Sequence, residues 1–378
     1  MKGKRVENKK KALGQALFTI AFILILYVDY VSATSIPVIY SGRLFQAAIL
    51  LLLIKVIITH YSKKEWIALI SLLGLGIISY LYVKNFFFII LILLLFGSKE
   101  VSFKNIIRIY LVFVSGLTLI VGIAASFGWF GEMSLTMDFR STGIETRYCM
   151  GYTHPNTYHI VLLQLCLALF WLLWEKTKWY HVLLAIVGNC LIFAATDSRT
   201  NLLVGIVLFL CMFIAKLKSR FQNKNWVYGL GFLVLGASLL LSLLTVLIGT
   251  DSKLIGFIDK MWTNRIRYGY LAVKNNGILS LFSSVDSQVS TDMGYIRMFY
   301  NYGFIIFAAV ILLFILKLYI NAKNKDFMEL IILVAGIVFM LGENFSFGEF
   351  ITRNIIFLFL IGMLSRDNFI SAPQDKII

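Results

Sequence analysis

Apolar runs of about 20 residues recur along this chain with only short polar breaks between them, and that pattern leaves few folds open. A run of that length crosses the hydrocarbon of a bilayer as a helix, which satisfies its own backbone hydrogen bonds where water cannot reach. Spans are expected near residues 13–31, 41–59, 66–83, 85–97, 106–127, 157–174, 181–197, 200–216, 227–249, 294–320, 327–342 and 354–365. With 60% hydrophobic and 14% charged residues in 378, no stretch is left to bury a separate soluble core. The expected fold is all-α: a polytopic transmembrane helix bundle of about twelve spans, with residues 1–378 as a single integral membrane domain.

The N-terminus imitates a secretory signal, with basic residues over 2–11, an apolar run over 13–28 and small residues at Ser32 and Ala33. That run is long for a signal, and the later spans need a first helix of fixed orientation. An uncleaved first span is expected. Between the third and fourth spans, Lys84 and Asn85 leave so tight a turn that a re-entrant pair also fits.

Orientation follows from the 35 Lys and Arg residues. Most fall in the N-terminal tail and in breaks near 60–65, 97–108, 174–180, 216–226, 317–326 and 365–378, which places both termini in the cytoplasm. The net charge of +16 is explained by this topology and by anionic headgroups, and the scattered lysines carry no aromatic interleaving, so no nucleic-acid partner is expected. The bilayer is the partner that composition demands.

Arginine breaks the topological rule. Arg43, Arg140, Arg147, Arg199, Arg265, Arg267, Arg297 and Arg353 fall on the external side, while Arg5, Arg108, Arg220 and Arg366 fall inside. A planar guanidinium grips phosphate or carboxylate through two bonds, so these external arginines point either to an anionic ligand or to pairing with nearby acids such as Glu145, Asp259 and Asp292.

Two external loops, over about 128–156 and 250–293, are long for such a bundle, and long loops usually carry function. The first ends in His154, Pro155 and Asn156 at the start of the sixth span, so His154 sits at a helix N-terminus that favours an anion, or simply caps it. Asp197 and Arg199 lie in the break between the seventh and eighth spans, as a ligand site or as a structural pair. In the second loop, Ile266, Tyr270 and Val273 recur at helical spacing, which predicts an amphipathic helix against the bilayer. Glu343 and Glu349 share the last external loop with Arg353, the expected salt-bridge partner. Of the four cysteines only Cys149 is external, and no disulfide framework, metal-ligand spacing or nucleotide motif is present.

Taken in order, Arg147 with Gly151 and His154-Pro155-Asn156, then Ser198-Arg199-Thr200, then Thr263-Asn264-Arg265, then Asp292, Gly294 and Tyr295 with Asn301-Tyr302-Gly303, resemble the O-antigen polymerase and ligase family. The likeness is greatest to the Wzy-type polymerases of capsular polysaccharide and exopolysaccharide, and it covers roughly residues 100–360. It departs at residues 281–284, where family members often carry a glycine-rich stretch, and the N-terminal third matches only in hydropathy.

The resemblance implies a bundle similar to the GT-C glycosyltransferases and a metal-independent, inverting enzyme without cofactors in the bacterial inner (plasma) membrane. Its donor would be an oligosaccharide repeat unit on undecaprenyl diphosphate and its acceptor a hydroxyl of another lipid-linked unit. Flippase and chain-length regulator proteins are the implied protein partners. In that chemistry Arg147, Arg199 and Arg265 would stabilise the departing diphosphate, and His154 or Glu349 would take the acceptor proton. Arg140, Asn156, Arg267, Asp292, Tyr295 and Arg297 would bind substrate. A ligase that transfers the glycan to a foreign acceptor would use the same donor chemistry, and a flippase for the lipid-linked sugar is the rival from another class.

Overall fold

The computed structural model describes residues 2–37, 40–137, 143–249, 253–261, 264–343 and 350–365, and it is a multi-pass all-α bundle. The helices run in chain order as α1 (Lys2–Ser32), α2 (Ser41–Ile58), α3 (Lys63–Val83), α4 (Phe87–Gly97), α5 (Phe103–Ser126), α6 (Pro155–Leu173), α7 (Trp179–Thr196), α8 (Arg199–Leu217) and α9 (Asn225–Ile248). After them come α10 (Lys253–Met261), α11 (Arg265–Asn276), α12 (Gly294–Tyr302), α13 (Phe304–Asn324), α14 (Phe327–Gly342), α15 (Phe350–Arg353) and α16 (Ile356–Ile361).

Among the described residues nine helices are long and apolar enough to cross a membrane, fewer than the twelve expected. The difference lies in the short segments. α4 has 11 residues, and at about 1.5 Å per residue it falls well short of a hydrocarbon core about 30 Å thick. It is apolar on every side, which marks a buried helix, and all of its residues except Ile89 are buried. α16 is likewise buried throughout and ends in a 3₁₀ turn at Gly362–Leu364. These two short helices form the centre with α14: the Phe87 and Phe357 rings meet edge to face at 5.8 Å, and Phe103 meets Phe359 at 5.0 Å. The long helices surround them. Their outer faces carry exposed Ile57, Leu81, Leu184, Leu233 and Leu247, a surface that suits lipid and not water.

The expected span over 294–320 is broken at Gly303 into α12 and α13. Gly303 has φ 83° and ψ 167°, a region open almost only to glycine, and a Cβ there would lie 2.5 Å from the Leu281 carbonyl oxygen and 2.6 Å from the Phe282 Cα. Residues 281–284, where the resemblance failed, therefore pack flush against the joint. Backbone strain and overpacking together set the expected cost of Gly303→Ala at about 3 kcal/mol, read as a fall in the thermal midpoint of the purified protein.

Among the described residues one ion pair is buried between α13 and α14. Lys317 of α13 meets Glu329 of α14 at 2.9 Å with both side chains buried, and Asn321 donates to the same carboxylate. His159 on α6 bonds Asn189 at 2.8 Å and Thr196 at 3.1 Å, tying α6 to α7 away from solvent.

At the end of the bundle where α1 finishes and α6 begins, the first long loop folds into a feature the all-α expectation lacks. β1 (Ser134–Met137) pairs antiparallel with β2 (Glu145–Tyr148), Leu135 opposite Arg147, and the Thr136 and Thr146 hydroxyls bond across the strands at 2.9 Å. α11 is the helix predicted in the second loop. Its Ile266–Tyr270–Val273 face, however, packs on protein: Tyr270 covers Gly249 at the end of α9, and Gly269 lies against the Met293 sulfur before α12. That face thus rests on the end of α9 and on the residues just before α12.

Candidate functional site

Four chain segments bring their polar residues to this end of the bundle. The first is the turn from β2 into α6. Gly151, at φ 83°, lets the chain pass within van der Waals reach of Val121 and Ala125 on α5, and the Tyr152 hydroxyl bonds Tyr30 at 2.8 Å and Thr118 at 2.9 Å. That clasp fixes the approach to His154, which is extended and caps α6: its Nδ1 accepts the Asn156 backbone N–H at 3.1 Å, with Pro155 in the first turn. In the neutral ring the other nitrogen, Nε2, then carries the proton and is a donor.

The second segment is the α7–α8 hairpin. Asp197 closes α7 in the left-handed conformation, and its carboxylate lies 3.3 Å from the Arg147 guanidinium. Alternation along β2 puts Glu145 on the same face as Arg147, and their bond is 2.5 Å. Arg147 thus holds two carboxylates and is buried. Arg199, the expected partner of Asp197, stands off at 3.9 Å with 62% of its side chain exposed, so it forms a rim and not the floor. Asn201 on α8 donates to the Asn156 carbonyl at 3.0 Å and locks the hairpin to α6.

The third segment is the start of α11. Buried Asp259 accepts the backbone N–H groups of Ile266 and Arg267 at 2.8 and 3.2 Å and so caps α11 from α10. The cap directs Arg265 inward. Arg265 is 9% exposed, its Nη2 donates to Glu343 at 2.9 Å, and among the described residues its buried Nη1 has no hydrogen-bond partner. Glu343, at the end of α14, pairs directly with Arg265 where the sequence pointed to Arg353.

The fourth is α15. Asp29, near the end of α1 and buried, accepts the Thr352 N–H at 2.9 Å and its hydroxyl at 2.8 Å, which fixes the backbone beside Arg353. Sequence reasoning passed over Asp29, although a carboxylate inside an apolar run is a signal in its own right. Asp29→Ala strands the buried Thr352 donors, with an expected loss of about 1–3 kcal/mol in the thermal stability of the purified protein.

These segments converge electrostatically on His154. Burial first, then the nearby Arg147, Arg265 and Arg353 guanidiniums, hold its pKa below the ordinary 6.5, while Asp292 acts in the opposite sense. Burial likewise pushes the Glu343 carboxyl up against the pull of Arg265. Because folding lowers the His154 pKa, the unfolded chain takes up the proton first as pH falls through 6.5, and stability declines until the folded ring also titrates. His154→Asn keeps a capping oxygen and does not titrate, so its thermal midpoint is expected to fall less than that of the parent between pH 7 and pH 5.

The remaining expected residues are distributed more widely. Asp292 is exposed within electrostatic reach of both His154 and Glu343. Asn301 stabilises the segment before it through paired bonds to the Val289 backbone at 2.6 and 3.1 Å. Arg267 is exposed, and Arg297 is half-buried on α12. Tyr295 is buried, with its hydroxyl committed to the Ile337 carbonyl, and its ring lines an apolar groove of about 200 Å³. Leu243 and Leu247 of α9 and Phe299 of α12 complete the walls of that groove. Gly294, next to Tyr295, lies against the backbone carbonyl of Glu343. Arg140 and Glu349 fall outside the described residues, as does Thr263. No group of three or more His, Cys, Asp or Glu side chains gathers as a metal site among the described residues. No protein-family model, curated protein or solved structure matches the chain.

Proposed function

We propose that the chain is a membrane glycosyltransferase that polymerises undecaprenyl-diphosphate-linked oligosaccharide repeat units, working at the outer face of the bacterial cell membrane with both termini in the cytoplasm. The observation that carries this reading is the buried, unpaired Nη1 of Arg265, set among Arg147, Arg353 and His154. A buried donor left without a partner costs about 1–3 kcal/mol, and a guanidinium held ready for an incoming anion accounts for that cost. The apolar groove lined by Tyr295 and Phe299 suits the hydrocarbon tail of such a ligand.

In the proposed step the acceptor hydroxyl oxygen forms a bond to the anomeric carbon while the bond from that carbon to the diphosphate oxygen breaks, with inversion. Negative charge grows on the diphosphate, so preorganised donors at Arg265, Arg353 and His154 Nε2 bind the transition state more tightly than the substrate. Arg147 orients the β2 strand and adds to the field. With His154 Nδ1 occupied by the helix cap, Asp292 is assigned the acceptor proton. Arg199 and Arg267, exposed at the rim, meet the sugar chain.

Reconstitution with purified lipid-linked repeat units tests this. Longer oligosaccharides on the diphosphate carrier are the expected product. Transfer only to a foreign acceptor would make the protein a ligase, and movement between leaflets without a new glycosidic bond would make it a flippase.

A further inference from the structure

The far end of the bundle, where α1 and α5 both begin, holds a second basic site that the proposed reaction does not use. A cavity of about 550 Å³ opens between these helices, lined by Gln15 and Thr19 on α1 and by Ser102, Asn105, Arg108 and Ile109 on or beside α5. Gln15 and Thr19, one turn apart, give α1 a polar stripe along the cavity, and Lys11 lies one turn further out along the helix. Asn105 and Arg108 supply the opposing stripe, and the Arg108 guanidinium donates to Asn105 Oδ1 at 3.1 Å.

Arg108 lies inside the membrane-crossing segment Phe103–Ser126, five positions from its start, yet its side chain is exposed. A guanidinium at that depth faces headgroups and the upper acyl chains, where an unpaired cation is costly. The nearest carboxylate along the chain, Glu100, is drawn to Lys55 at 3.9 Å, while its backbone carbonyl accepts from Gln15. Glu7 lies one turn further out on the Lys11 stripe.

We propose that this cavity binds the phosphate-bearing headgroup of an anionic phospholipid from the adjacent leaflet. Arg108 clasps the phosphate, Asn105 holds the guanidinium in place, and Gln15, Thr19 and Lys11 meet the glycerol and outer headgroup oxygens. Guanidinium and phosphate match in geometry, and a basic pocket between transmembrane helices is a recurrent place for such a head.

The test uses the full-length protein in phosphatidylcholine nanodiscs doped with a photoreactive phosphatidylglycerol. Cross-links are expected in the peptides over 11–19 and 101–109, reduced about fivefold or more by Arg108→Ala, less by Asn105→Ala, and partly restored by Arg108→Lys. Arg108 is exposed, so its variants should fold, and an unchanged thermal midpoint checks that. Equal labelling by a photoreactive phosphatidylcholine, or labelling indifferent to Arg108→Ala, would overturn the proposal. Displacement by glycerol 3-phosphate would assign the cavity to a soluble phosphate and overturn the lipid assignment.

Discussion

Arg265→Lys is expected to lower the turnover of lipid-linked substrate about 100- to 1000-fold while the protein remains folded. Lysine keeps a positive charge opposite Glu343, so the buried carboxylate is not left alone, an event that would cost about 3–5 kcal/mol. What lysine cannot supply is the second arm of the fork, and that arm, Nη1, is the one without a hydrogen-bond partner among the described residues. Replacing Arg265 and Glu343 together by Leu separates the two roles. A purely structural ion pair is often replaced by apolar residues at little cost, so the double variant should keep most of its stability while remaining inactive. Near-normal turnover in Arg265→Lys would remove Arg265 from the reaction.

Asp292→Asn is expected to cost about 100- to 10,000-fold in turnover, more than His154→Gln, for which about tenfold is expected. The ranking follows from hydrogen-bond direction. His154 Nδ1 already accepts a backbone N–H, so the other nitrogen of the neutral ring is a donor and has no lone pair to offer an acceptor hydroxyl. Asp292 is exposed, lies within electrostatic reach of His154 and carries lone pairs on both oxygens. If His154→Gln proves the more damaging variant, and its acidic pH limb vanishes with it, the proton assignment reverts to the histidine.

The bundle was legible in the sequence because a bilayer admits little else for a chain of repeated apolar runs. Number was harder. α4 and α16 are as apolar as any span, and hydropathy cannot distinguish a short helix buried among other helices from one that faces lipid. The break at Gly303 was hidden for a related reason: both flanks are apolar, and only the approach of residues 281–284 shows why a glycine is required there. In the site, the helix start at His154 could be read from Pro155, whereas the burial of Arg265 was not expected of an arginine placed near the headgroups. The pairing was not legible. Arg147 joins Asp197 and Glu145, and Arg265 joins Glu343, across loops whose folding depends on contacts far apart in the chain. Arg199 had the right residue type and position, yet its place at the opening of α8 turns it outward.

The central claim is that a polyprenyl diphosphate is held by its head at the Arg265 fork. Binding of undecaprenyl diphosphate to the purified protein, compared with undecaprenol and repeated with Arg265→Lys, tests it most directly. Saturable binding that falls about tenfold or more in the variant and is absent for the alcohol is the predicted result. Equal affinity for the diphosphate and the alcohol, or no change in Arg265→Lys, would contradict it.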